Sequence, residues 1–460
     1  MLVTRITLPL LRETRKVDSV LFVRSVRGVR PTNRSPMPAD PTDLLLVADD
    51  LTGALDASVP FRARGMAATV HLDSGAYPLP GPPSPGAAVT VVDTDTRHAD
   101  AVAADAAVRA ALRGAAPAAT VVKKVDSTLR GQVRAELAAL LDERPGPLVL
   151  APAFPRAGRT TVDGVQYVHG RALHRTDAWA NEPAAPPADI AGLLAPLPVE
   201  RVPLGTVRAD PRLLRAALLR DPGRPRVLLC DAETEDDLDR IAAAGHGGDG
   251  PGAALWAGAA GLAAALARLL PPGAPPAGDA AGGAREPGRA LAVIGSASAV
   301  AREQADALAA AGFTAVTLDP HELLDADAAA LEVLAAKVAG TAAAGDTVVR
   351  IDAGRRVGPH LARRLSRGLA GAVREALSGA GLVLVTGGET ARAALPAAGV
   401  AALEVIAELE PGTVLSEARA GRRAPHGAAP RHIITKAGGF GDAHSLTRAV
   451  RLCRYGRTPL

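Results

Sequence analysis

The segment LLLVADDLTGALDA, residues 44–57, runs an apolar stretch straight into Asp49, Asp50, Thr52, Gly53 and Asp56. Carboxylates at the carboxyl end of a strand can accept a hydroxyl proton or hold Mg2+, and in open α/β sheets ligands bind at that edge. The same residues could equally cap a helix, because Asp or Thr before a helix satisfies its free N–H groups. A second strand end, Val92-Asp93-Thr94-Asp95-Thr96-Arg97-His98, adds a guanidinium able to grip a carboxylate at two points. A solvated loop is the plainer reading of that segment taken alone.

KKVDSTLRGQVRAEL, residues 123–137, places Lys124, Val125, Asp126, Ser127, Thr128, Arg130 and Gly131 between a strand and an amphipathic helix. Ser127 or Thr128 can cap that helix, whose N-terminus favours anions, while Lys124 and Arg130 add charge for a carboxylate or phosphate. The chain has five lysines beside 47 arginines, so a retained lysine is informative. Lys123, Lys124 and Lys436 all fall inside dense motifs, where a compact ammonium differs from a planar guanidinium. APAFPRAGRTTVDGVQYVHG, residues 151–170, reads as a loop whose Arg156 and Arg159 could border an anionic ligand, or as a plain surface loop.

Three glycine-bearing turns follow in the second half. Ile294-Gly295-Ser296-Ala297-Ser298 ends one strand, Val385-Thr386-Gly387-Gly388-Glu389-Thr390 ends another, and Thr435-Lys436-Ala437-Gly438-Gly439-Phe440-Gly441-Asp442 ends a third. Glycine lets backbone N–H groups approach phosphate oxygens, and a following helix supports the negative charge. Each turn alone is compatible with ordinary capping; three in one half, one with a lysine, fit a nucleotide-phosphate cradle. The cradle is not a P-loop, since no GxxxxGK[ST] occurs, and no GxGxxG, GxSxG or HExxH motif supports a dinucleotide, hydrolase or zinc-protease reading.

The elements that must position these residues are short β-branched runs alternating with alanine-rich helical stretches, the α/β pattern of mostly parallel sheets. Strands are expected at Leu44–Ala48, Ala68–Leu72, Ala88–Val92, Thr120–Val125, Pro147–Ala151, Arg226–Cys230 and Ala253–Trp256. After a proline- and glycine-rich linker at 271–288 they resume near Ala290–Ile294, Ala315–Leu318, Thr347–Ile351, Leu382–Val385, Leu403–Ile406 and His432–Thr435. With 460 residues and roughly 150 per domain, two α/β domains are expected, 37–270 and 289–460, with the active site in the cleft between them.

The formal charge of +4 is concentrated in residues 1–36, where eight basic residues face only Glu13 and Asp18. This leader reads as an RNA- or membrane-binding arm, a targeting peptide, or translation upstream of a true start at Met37; the last is favoured, because no secretory h-region or cleavage site is present. Cys230 and Cys453 cannot form a disulfide framework, and a reducing cytoplasm fits. The uncharged stretch from Gly250 to Ala267 is dominated by alanine and glycine and reads as part of a soluble chain.

Taken in order, ADDLTGALDA, VDTDTR, KKVDSTLRG, PAFPRAGRTTVDG, GSAS, GGETA and KAGGFG resemble the motif series of the four-carbon acid sugar kinases across roughly residues 43–450. The resemblance implies an N-terminal domain for a tetronate-type acid, a C-terminal domain for ATP, and phosphorylation of the terminal hydroxyl to a 4-phosphate. Carried over residue by residue, it implies that Asp49 or Asp50, Arg97, and Lys124, Val125, Asp126 and Ser127, with Arg130 beside them, hold the acid. Ser296 or Ser298, Gly387, Gly388, Glu389, Thr390, Lys436 and Gly438 or Gly439 would hold ATP. Lys124 and Arg97 are then expected to grip the substrate carboxylate and Asp50 or Asp126 to accept or orient the attacking hydroxyl. Mg2+ would bridge the nucleotide phosphates, its protein ligands left open. The WANEP segment departs from the family in carrying Asn181 where relatives often have aspartate. KVDSTLRG is closer to threonate and erythronate kinases than to 3-oxo-tetronate kinases. A kinase of another small hydroxy acid or polyol, or a sensor that closes on both ligands without chemistry, remains open. Partners are expected to be small molecules, with neither nucleic acid nor membrane, and a homodimer is compatible.

Overall fold

A computed structural model of the chain describes residues 44–72, 88–114, 120–180, 182–246, 255–272, 288–296, 298–352, 354–355, 357–358, 361–421 and 432–455. The basic leader, nearly all of the linker and Asn181 lie outside the described residues.

The strands of the first half are β1 (Leu44–Ala48), β2 (Ala67–His71), β3 (Ala88–Asp93), β4 (Thr120–Lys124), β5 (Pro147–Ala151), β6 (Arg159–Val162), β7 (Val165–Val168), β8 (Arg171–Ala172), β9 (Val199–Val202), β10 (Arg226–Cys230) and β11 (Leu255–Gly258). Those of the second are β12 (Ala290–Ile294), β13 (Thr314–Leu318), β14 (Thr347–Ile351), β15 (Leu382–Thr386), β16 (Val400–Glu410), β17 (Thr413–Ala420) and β18 (His432–Lys436). Runs such as β1, β5, β12 and β15, apolar but for Thr386 at the end of β15, are buried along their whole length, as strands covered by helices on both faces must be.

The two expected sheets are one among the described residues, in the order β13-β14-β12-β15-β18-β17-β16-β2-β3-β1-β4-β11-β5-β10-β9. Each half contributes a parallel block, and the long hairpin β16–β17 joins them by antiparallel pairing to β18 on one side and β2 on the other. The junction places Leu403 opposite Val70 and Ala402 opposite His71, so the edge that β2 would otherwise present is covered. Both blocks contain a point where the chain order reverses. It lies between β1 and β4 in the first half, where Ala48 is opposite Lys124, and between β12 and β15 in the second, where Ile294 is opposite Thr386. The crevice beyond such reversals is where open sheets place ligands.

The expected loop at 151–170 is instead a small antiparallel sheet, β6-β7-β8. Its strands are four, four and two residues long, and residues of positive φ, Gly158, Asp163, Gly164, His169 and Gly170, break the pattern between them. No helix among the described residues is long and apolar enough to cross a membrane.

Consecutive residues of a strand face opposite sides, which separates Lys123 from Lys124. Lys123 is fully buried behind β4, 3.1 Å from Glu136 on the helix Val133–Glu143, and donates to the Lys124 carbonyl. Lys123 is therefore an internal tie between strand and helix. Lys123→Met should cost about 3–5 kcal/mol in chemical unfolding, because it strands a buried Glu136. The double variant Lys123→Met/Glu136→Leu should recover most of the loss; equal losses in single and double variants would contradict a paired role.

Candidate active site

The ends of β1, β3 and β4 meet on one guanidinium. Arg97 donates from Nε and Nη2 to Asp49 at 2.8 and 2.9 Å, lies 2.7 Å from Asp50 and reaches Asp126 at 3.7 Å. Asp49 is 2% exposed, with both oxygens taken. Burial alone would push its carboxyl up, but Arg97, Lys123 and Lys124 outweigh this and hold it below the usual carboxylate range. Asp49 and Arg97, both expected to hold the acid, are bonded to each other, and Arg97 also lines the cleft. Val125 is likewise buried, contributing only its carbonyl to Lys124.

Asp126 accepts from Arg130 at 2.9 and 3.0 Å and from the Thr128 amide and hydroxyl. Burial raises its carboxyl, yet Arg97 and Arg130 bring it well below the usual range, so it stays ionised and is a poor proton acceptor. Ser127 and Thr128 do not cap the following helix; that helix begins at Val133 after Gln132, without a side-chain cap. Asp50 is a helix cap that also faces the cleft. Its side chain caps the helix Leu51–Ala63 through the Gly53 amide at 3.1 Å, accepts from Thr52, and still lines the cleft.

The cleft is a cavity of about 400 Å3. From the first half it is lined by Asp50, Thr52, Asp56, Arg97, Lys124, Asp126, Ser127, Thr128, Arg130, Phe154, Arg156 and Arg159, and from the second by Glu408, Gly412, Thr435, Lys436, Ala437 and Phe440. Two cations facing it are buried yet unpaired. Lys124, 6% exposed, donates to the Val125 carbonyl at 2.8 Å, and Lys436, 1% exposed, to the carbonyls of Ala437, Gly438 and Phe440; neither makes an ion pair among the described residues. Burial pulls the Lys436 ammonium down to about 8, against a small opposing pull from Glu410. Arg159, half-buried, has an Nε without a hydrogen-bond partner, and burial lowers its guanidinium too. Unpaired buried cations cost several kcal/mol each unless an anion arrives, so the cleft is built for an anionic ligand. Asp56 is pushed up by burial and by the carboxylates of Glu408 and Asp50, against Lys124 and Arg156.

The three glycine turns converge. The Gly387 amide donates to the Lys436 carbonyl at 2.9 Å, and Ser298 caps the helix Ala299–Ala310 while donating to the Gly438 carbonyl at 2.9 Å. A methyl group at Gly438 would stand 2.5 Å from Ser296 Oγ, so only glycine fits. Thr390 is buried against Gly295, and Glu389 is half-buried. At Gly388 an added methyl would lie 3.4 Å from Thr52 and 3.5 Å from Asp50 Oδ2. The N-terminus of the helix Gly388–Ala397 thus abuts the carboxylate at the end of β1.

Comparisons with known proteins agree with this geometry. Residues 44–266 match the sugar-binding N-terminal domain model and residues 291–446 the nucleotide-binding C-terminal domain model. The chain is 37% identical to a D-threonate kinase of Cupriavidus necator, over 90% of this chain and 99% of that one. It is 33% identical to a D-threonate kinase of Bordetella bronchiseptica, over 90% and 98%. The chain belongs to the four-carbon acid sugar kinase family. A D-erythronate kinase of Heliobacterium modesticaldum is 33% identical over 62% of this chain and 64% of its own. The fold is shared with the crystal structure of a Salmonella typhimurium LT2 protein, 24% identical with a TM-score of 0.70 over 89% of this chain and 98% of that one.

Asp56, Arg156 and Arg159, which lie in segments that the sequence marks as able to meet a ligand, line the cleft of this family member, as does Glu408, which no motif marks. Arg159 had a legible signal, a second arginine in the turn after an apolar strand; Glu408, near the end of hairpin strand β16, had none. Lys436 orders the Gly438–Gly441 turn and faces the cavity at once. Lys436→Ala should therefore raise the KM for ATP and lower kcat, in steady-state assays with the second substrate saturating; unchanged constants would remove it from the site.

Proposed function

We propose that this chain is an ATP-dependent kinase that phosphorylates the terminal hydroxyl of a four-carbon sugar acid, D-threonate foremost, to the 4-phosphate. The observation that carries the reading is the pair of buried, unpaired ammoniums, Lys124 from one half and Lys436 from the other, facing one cleft where Gly388 abuts Asp50. The choice of D-threonate rests on the 37% and 33% relatives bearing that name, against 27–29% for the 3-oxo-tetronate kinases. D-erythronate is the next candidate.

In this reading the first half takes the acid and the second the nucleotide. With Arg97 bound to Asp49 and Asp50 and Arg130 to Asp126, the substrate carboxylate falls to Lys124 and Arg159, with Arg130 beside them. The terminal hydroxyl lies against Asp50, and Gly387 to Thr390, Ser296, Ser298, Lys436, Gly438 and Gly439 surround the triphosphate. The hydroxyl oxygen bonds to the γ-phosphorus as the bond to the β–γ bridging oxygen breaks; the proton passes to Asp50 and ADP leaves. Asp126 holds Arg130, Thr128 and Arg97 in place. Phosphoryl transfer asks for alignment and charge neutralisation, which these residues supply. Mg2+ would enter with the nucleotide and neutralise phosphate charge. A cytoplasmic location would supply ATP and suit the free thiols Cys230 and Cys453.

Coupled ADP release should be seen with D-threonate, more weakly with D-erythronate, and not with neutral four-carbon polyols. ATP binding without ADP release on any of the acids would turn the reading toward a sensor. Arg159→Ala should raise the KM for the acid by roughly 10- to 100-fold, the worth of one charge-assisted contact, while the KM for ATP stays near its original value.

A further inference from the structure

Asp93 ends β3 with no exposed surface, and its register partner is Ala48, the residue before Asp49 and Asp50. One of its oxygens accepts from the Asp95 amide at 3.1 Å. The other accepts no hydrogen bond and faces Arg392 Nε at 3.3 Å, a nitrogen that also lacks a hydrogen-bond partner. Arg392 lies on the helix Gly388–Ala397, in the second half. A buried charge pair therefore links the strand beside Asp50 to the helix whose first residue abuts Asp50.

A second tier surrounds it. Arg392 stands 3.9 Å and Arg363 3.3 Å from Asp95, Glu389 lies 3.6 Å from both Arg363 and His98, and all but the Arg363–Glu389 contact cross between halves. Charge-assisted hydrogen bonds settle at about 2.7–2.9 Å, so these contacts are longer than ideal ones. A buried ion pair with poor geometry is weak evidence of stabilisation, which points to a use other than holding the free protein together.

We propose that Arg392 is a positioning residue for phosphoryl transfer, whose pairing with Asp93 holds the Gly387–Thr390 turn against Asp50. This rests on the kinase reading. The groups facing Asp93 are Arg392 from the helix, Asp50 from the end of β1 and Asp95 from its own turn. Burial pushes its carboxyl up to about 7, Arg392 opposing and the two aspartates adding. The pair therefore exists above about pH 7 and is lost as Asp93 takes up a proton below it. Stability runs the other way, since a raised carboxyl stabilises the fold at low pH and loses that contribution as pH rises toward 7.

Arg392→Gln should lower kcat by roughly 10- to 100-fold, the cost of a reacting group misplaced by about 1 Å, with KM values changing far less, and Arg392→Lys should restore part of it. Asp93→Asn should lower kcat, abolish the fall in kcat that the wild type shows below pH 7, and flatten the loss of Tm between pH 5 and 8. Arg363→Gln, in the more exposed second tier, should give a smaller fall of the same kind. Hydrogen exchange at residues 387–392 in the ligand-free protein reads the pairing without turnover and should quicken in Arg392→Gln. Unchanged exchange with unchanged kcat, or a loss confined to the KM for ATP, would overturn the proposal. A wild type inactive on every acid would overturn the kinase reading alone, leaving exchange to decide the pairing.

Discussion

One guanidinium sets the site. Arg97 gathers Asp49, Asp50 and Asp126, carried on the ends of two neighbouring strands, within 3.7 Å of one planar group. Three carboxylates so close would repel and take up protons without it; with it, Asp49 and Asp126 remain ionised although buried. Everything in the first half of the cleft is placed relative to that knot. Asp50 is left with a face toward the second half, Asp126 holds Arg130 and the Thr128 turn, and Lys124 is left over, buried and without a carboxylate of its own.

The second half answers with the opposite economy. Its turns offer backbone rather than charge, and the one lysine that faces the cleft from this half, Lys436, donates to three carbonyls of its own loop. These bonds tie the loop together without a ligand, and its ammonium is desolvated enough that a phosphate would raise it back toward its ordinary range. The continuous sheet brings the two arrangements together: the hairpin β16–β17 pairs with both blocks, and Glu408 on β16 reaches the same cavity as Asp56.

Much of this was legible in the residues. Strands buried on both faces announce themselves as apolar runs, and carboxyl-end polar residues mark where the crevice opens, so ADDLTG, KVDSTLRG and GGET were found where the sheet needs them. Pattern reading failed where turns crowd the strands, as in β6 to β8, and where a strand alternates polar and apolar residues outside a parallel block, as in β17. It also failed over which charge belongs to which partner. Arg97 and Lys124 look alike in sequence as anion ligands, yet one is taken by Asp49 and the other is free for a ligand. The alternation of β4 could have separated Lys123 from Lys124, while the Asp93–Arg392 pair, spanning 299 residues, leaves no local trace.

The central claim is that Lys124 is a buried charge kept for a ligand rather than for the fold. Thermal unfolding of Lys124→Met, with and without ATP and D-threonate together, tests it most directly. The account predicts that the free variant melts at or above the wild-type temperature, because an unpaired buried ammonium has been removed, and that the rise in Tm on adding the ligands is lost. A variant that melts well below the wild type yet keeps the full ligand-induced rise would contradict it.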